Sequence, residues 1–180
     1  MQQDQKHSFS KKWSYNVWTE PPLFLSELTA PSSSGALQEG QVLLEAGVLA
    51  FRRNHGDLEI LLVSKKRSKN WGIPKGRTEP DLSFSELASK EAFEEAGVVG
   101  YVSANSVGVF RARKQNPNAL SHQIIEVWVY LFEVTDTRRK WPEMHKRQTR
   151  WVSCEVAAQQ LREPVLAHLC HRLAQHGSAP

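Results

Sequence analysis

Apolar and polar positions change rhythm several times along this chain, and those changes divide it into elements. Val42–Phe51 (VLLEAGVLAF) is a β-type run and Leu58–Val63 (LEILLV) a second strand. The polar stretch Arg53–Asp57 between them is a turn that joins the two as a hairpin. A different period governs the stretch after Ser83. Leu87, Ala88, Ala92 and Ala96 recur at helical spacing and predict a helix with one apolar face. Ser83 caps it, Glu86 completes a capping box, and Gly97 stops it. Val98–Phe110 then predicts one or two strands with a turn near Ala104–Asn105. Arg111–His122 reads as a long polar connection, and Gln123–Val134 (QIIEVWVYLFEV) as a long aromatic and β-branched strand. Thr135–Arg147 reads as a charged loop and Thr149–Val152 as a short strand. Glu155–Leu161 and Pro164–Ala174 have helical patterns, with Pro164 suited to a first turn. Strands on either side of one helix, followed by terminal helices, predict an α/β sandwich.

Composition adds limits. The 180 residues, 40% hydrophobic, can build one sizeable core plus extensions. Residues 1–40 differ in texture: polar and Ser/Gly/Ala-rich stretches read as flexible and flank Trp13, Tyr15 and Trp18. That aromatic segment reads as an arm over an apolar groove of its own domain or of a dimer mate; the alternative is a lid over a ligand. The globular domain is placed at 41–176. Net charge is +4, from 23 Lys and Arg against 19 Asp and Glu, a modest excess that does not by itself indicate a nucleic-acid partner. Cys154 and Cys170 are too few for a disulfide framework and read as free thiols of a reducing compartment. No apolar run approaches the roughly 18 residues of a membrane span, and the N-terminus lacks a secretory h-region. A cytoplasmic protein without a membrane partner is the expectation.

The helix has a second face. Glu91, Glu94 and Glu95 crowd its last turn, where like charges repel and the helix dipole favours cations. A bound divalent ion would resolve the conflict, since Mg²⁺ takes carboxylate oxygens; the alternative is a solvated acidic helix end. The spacing of Gly76, Lys90-Glu91, Glu94-Glu95, Gly97 and Val98 resembles the signature of the Nudix hydrolases. That resemblance implies an α/β/α sandwich with a mixed sheet, and Mg²⁺- or Mn²⁺-dependent hydrolysis of a substituted diphosphate. It implies Glu91 and Glu95 as metal ligands, Glu94 as a ligand or the general base, and a contribution from the Lys75–Gly76 backbone. The proton acceptor is Glu94 or Glu95. Two positions depart from the signature: Leu82 replaces a glutamate and Lys90 an arginine. Glu86, one turn before Lys90, is read as its substitute ion-pair partner.

Cations gather at strand ends: Lys65, Lys66, Arg67 and Lys69; Arg111, Arg113 and Lys114; Arg138, Arg139 and Lys140; Lys146, Arg147 and Arg150. Each cluster alone is an ordinary solvated loop. The first precedes the Pro-Lys-Gly turn, and a cleft walled by one sign of charge would steer a polyphosphate inward. The order LLVSKKR, WGIPKG, EEAGV, VGVF, His122 and HKRQTRWVS is similar to the diphosphoinositol polyphosphate phosphohydrolase branch, and the Pro-Lys-Gly turn to diadenosine tetraphosphate hydrolases. This implies a small, highly anionic polyphosphate substrate. The resemblance marks as phosphate contacts Arg67, a basic residue among Arg111, Arg113 and Lys114, and Lys146 or Arg147; Lys66 from the first cluster, Lys75 of the Pro-Lys-Gly turn and His122 are further candidates, a histidine at a strand start being more often structural. Two rivals remain: a Nudix-fold module that binds a phosphorylated ligand without turnover, and an RNA-end pyrophosphohydrolase.

Overall fold

A computed structural model describes residues 42–115 and 122–177; the aromatic arm and the side chains of Lys114 and His122 lie outside the described residues. The strands are β1 (Leu43–Asn54), β2 (Asp57–Lys65), β3 (Lys75–Arg77), β4 (Val98–Val102), β5 (Gly108–Gln115), β6 (His122–Thr137) and β7 (Arg147–Ser153). The helices are α1 (Phe84–Ala96), α2 (Cys154–Gln160) and α3 (Pro164–Gly177). They form one mixed sheet in the order β4-β6-β1-β2-β7, with β3 on β1 and β5 on β6. β1 runs parallel to β6 and antiparallel to β2 and β3.

The continuous apolar runs follow from burial on both sheet faces. On β1, Leu43, Leu49 and Phe51 join one core with Leu58, Ile60, Leu62 and residues of α2 and α3. Their alternates Ala46, Val48 and Ala50 join a second core with Leu61, Val63 and α1. Each fully buried Leu or Phe contributes about 1.5–3 kcal/mol, so both helical layers are held mainly by these contacts. The alanines of α1 keep the helix close to the sheet, and Phe84 meets Trp128 edge-on at 5.8 Å between ring centroids.

Both ends of α1 obey the sequence. Ser83 Oγ accepts from the Glu86 N–H, and the Glu86 carboxylate accepts from the Ser83 N–H at 2.9 Å. At the other end Gly97 adopts φ 68°, a left-handed conformation costly to a side chain, and donates to the Phe93 carbonyl.

Three expectations need correction. The Pro-Lys-Gly turn is instead the start of β3, where Gly76 and Arg77 pair with Ala46 and Glu45. Arg111–Gln115 are not a connection but the end of β5, paired with Glu126–His122; alternation in a hairpin half open to solvent carries little apolar signal. Glu86 does not pair with Lys90, because the cap already engages it; Lys90 bonds Glu79 and stands 3.8 Å from Glu94. Leu82, for its part, packs against the α1-side core, so packing stands where the signature has a charge.

Candidate active site

A cleft of about 650 Å³ opens beside the C-terminal half of α1. One wall is local in sequence. β3 carries Lys75, Gly76 and Arg77, and α1 presents Glu91, Glu94 and Glu95. α1 approaches β3 so closely that a Cβ at Gly76 would fall onto the Glu91 carboxylate. Any larger residue there would have to displace that carboxylate.

The opposite wall comes from some fifty residues downstream. The loop before β7 docks on the end of α1, where helix carbonyls lack intrahelical partners. Arg138 N–H donates to the Gly97 carbonyl at 2.7 Å, and Glu143 N–H to the Glu94 carbonyl at 2.9 Å. The Trp141 ring lies over Gly97, where a Cβ would come within 2.7 Å of it. Docking carries Glu143 and Arg147 to the α1 acids. Arg147 Nη2 bonds Glu95 Oε1, and its Nε donates to Glu143 Oε2 at 2.7 Å. The sequence reading had missed Glu143; a lone acid in a charged loop gives no signal until the loop is placed.

Burial sets the electrostatics. Glu95 is 4% exposed. Burial pushes its carboxyl up to about 7, with Arg147 opposing and Glu91 and Glu143 adding to the rise. Burial, then the neighbouring Glu94, likewise pushes Glu91 up to about 7. For Glu143 burial works upward, but the hydrogen bond and charge of Arg147, with Lys146, hold it below the ordinary carboxylate range. Among the described residues no three His, Cys, Asp or Glu side chains stand ready as a metal cluster; Glu95 is turned onto Arg147 instead. The donors nevertheless suit a hard cation in kind: carboxylates of Glu91, Glu94, Glu95 and Glu143, and backbone oxygen at the Gly76 cradle.

The sequence-predicted residues divide. Glu91, Glu94, Glu95, Gly76, Lys75, Arg113 and Arg147 line the cleft. Lys66, Arg67, Arg111 and Lys146 do not. Lys66 and Arg67 project from an exposed loop that Ser64 Oγ ties down through the Asn70 carbonyl at 2.8 Å. Arg111 pairs with Glu126 at 2.9 Å, and Lys146 reaches Glu143 only at 3.5 Å with its side chain mostly in solvent. Nor is the cleft of one sign. Glu45, Glu91, Glu94, Glu95 and Glu143 face Lys65, Lys75, Arg77, Arg113 and Arg147, and Lys75 is already bonded to the buried Glu45. Val63, Trp71, Ile73, Ala112 and Ile125 give the cleft an apolar side, where Arg150 stacks on Trp71 at 3.9 Å. Cys154 and Cys170 are buried and free, their thiols pushed up by burial to about 11 and about 12. No helix among the described residues is long and apolar enough to cross a membrane.

Comparison with known proteins places this architecture. The chain is 33% identical over 138 residues to human diphosphoinositol polyphosphate phosphohydrolase 3-alpha, covering 74% of this chain and 79% of that protein. It is 34% identical over 107 residues to Nudix hydrolase 12, mitochondrial, of Arabidopsis thaliana, covering 58% of this chain. The matches cover 53%, 64% and 46% of three such plant proteins, so the chain spans about half the length of these relatives. The crystal structure of the C. elegans Ap4A hydrolase superposes with a TM-score of 0.53 at 18% identity, covering 76% of this chain and 98% of that one, which shows a shared fold. A family model, the NUDIX domain, matches residues 43–173. That span takes in every strand, α1, α2 and most of α3, and the chain belongs to the NUDIX family.

Proposed function

We propose that the chain is a Mg²⁺-dependent hydrolase of a P–O–P bridge in a small polyphosphate. The observation that carries this is the packing of Glu91 against Gly76, with Glu94 and Glu95 beside it on one cleft wall. Mn²⁺ is an alternative ion. The half-buried Glu91 and the buried Glu95 would hold the metal, with the Gly76 backbone. When bound, such an ion neutralises phosphate oxygens and acidifies a water. Glu94, half-exposed at the rim, is the acid best placed to take a proton from solvent-side water, ahead of Glu95. Lys75, Arg113 and Arg147 orient the phosphates. The apolar side around Trp71 and the even charge balance favour a substrate carrying a flat, weakly charged group. They support a dinucleoside polyphosphate over a diphosphoinositol polyphosphate, the class named for the human relative.

The test is a substrate panel in Mg²⁺: diadenosine polyphosphates, ADP-ribose, diphosphoinositol polyphosphate and 5′-triphosphorylated RNA, with products resolved by chromatography. Turnover of a small polyphosphate is expected. Binding without turnover across the panel would instead make the chain a binding module, and selective cleavage of RNA ends would establish the third reading.

A further inference from the structure

We propose that Arg147 is a built-in placeholder for the divalent cation: it neutralises Glu95 in the metal-free protein and is released to face the substrate's phosphates when metal arrives. The inference rests on the hydrolase reading above and adds a coupling between the metal and anion sites. Its basis is one guanidinium held by two acids on different elements. Nη2 bonds Glu95 Oε1 of α1, and Nε bonds Glu143 Oε2 of the docked loop at 2.7 Å. The Arg147 side chain is 19% exposed and that of Glu95 6%, so the carboxylate is too buried to rely on water for its charge. A buried carboxylate left unpaired is costly, and Arg147 supplies the charge.

A cation ligated by the Glu95 carboxylate would draw on the negative charge that Nη2 now neutralises, and would repel the guanidinium. Both effects push Arg147 off Glu95. Glu143 retains it through Nε, so the side chain swings about that contact rather than leaving. Arg147 lines the cleft, and the freed face of its fork matches phosphate oxygens. Coupling of this kind is reciprocal: metal raises anion affinity, and anion raises metal affinity by the same factor.

Two measurements test this at pH 8. Calorimetric titration with Mg²⁺ compares the wild type with Arg147→Ala, Arg147→Lys and Arg113→Ala, the last removing a cleft cation that does not hold Glu95. Arg147→Ala should bind Mg²⁺ tighter by on the order of tenfold, Arg147→Lys by less, and Arg113→Ala nearly as the wild type. Equal tightening in Arg113→Ala and Arg147→Ala would reduce the effect to general charge and overturn the proposal. The second measurement follows the Arg147 Nε–H resonance of the wild-type protein, assigned by its loss in Arg147→Lys. It should shift or broaden as Mg²⁺ saturates. A resonance unmoved at saturation overturns the placeholder role alone, whereas failure of Mg²⁺ to bind any of the proteins overturns the hydrolase reading with it.

Discussion

The two walls of the cleft are built in opposite ways. The wall of β3 and α1 is contiguous in sequence, from Lys75 to Glu95, and its helix is set by local rules, a cap and a helical period, with a glycine where Glu91 needs room. The wall opposite is assembled by docking. Glu143 and Arg147 reach the acids only because Arg138 and Glu143 N–H groups cover the helix carbonyls and Trp141 sits on Gly97. A helix end therefore does two jobs, with its side chains on one wall and its backbone anchoring the other.

The largest effect should fall on the local wall. Glu95→Gln is expected to lower turnover by about a hundredfold or more while the melting temperature in chelator holds or rises, because burial disfavours the charged carboxyl there more than Arg147 favours it. Near-normal turnover would remove Glu95 from the chemistry. Detaching the opposite wall should do less to the rate and more to stability. In Gly97→Ala the left-handed backbone and the Trp141 contact at 2.7 Å together should cost about 2 kcal/mol in denaturant unfolding. An unchanged midpoint would show that the loop is not anchored there.

A smaller effect distinguishes the walls by pH. Glu91 and Glu95 are pushed up to about 7 from an ordinary 4.5, so the folded state binds their protons more readily than the unfolded chain. Their contribution is fully present below about 4.5 and is lost as pH rises through about 7. Glu143, held low, has the opposite sign and acts below that window. The melting temperature in chelator should thus fall between pH 5 and 8, less steeply in Glu95→Gln, and Mg²⁺ should restore it. Identical slopes for wild type and Glu95→Gln would contradict the burial of that acid. The smallest effect belongs to Lys66→Ala with Arg67→Ala. Both residues lie in an exposed loop off the cleft wall, so KM should change by about twofold or less; a tenfold rise would restore the role first read for them.

The same contrast explains what was legible. The capping box of Ser83 and Glu86, the stop at Gly97 and the existence of strands β1, β2 and β6 depend on neighbours within one element, and the sequence displays them. The partner of Lys90 is Glu79 rather than Glu86 because a cap and an ion pair compete for one carboxylate; that competition is decided in three dimensions. Lys66 and Arg67 were placed by adjacency to Lys75, yet the loop turns at Arg67, with φ 68°, and points them outward. Glu143 had no local signature at all. Charge clusters in sequence marked loops at Lys66–Lys69 and Arg138–Lys140, but Arg111–Lys114 lie in β5 and Arg147 and Arg150 in β7, and clustering did not say which members face inward.

The central claim is that a divalent cation lodges between the acids of α1 and the β3 backbone. Paramagnetic broadening by sub-stoichiometric Mn²⁺ in ¹H–¹⁵N spectra tests it without reference to any substrate. The account predicts that the amides of Gly76, Glu91 and Glu95 broaden first and together, and that excess Mg²⁺ restores them. Broadening confined to other acidic surfaces, with those three amides sharp, would contradict it.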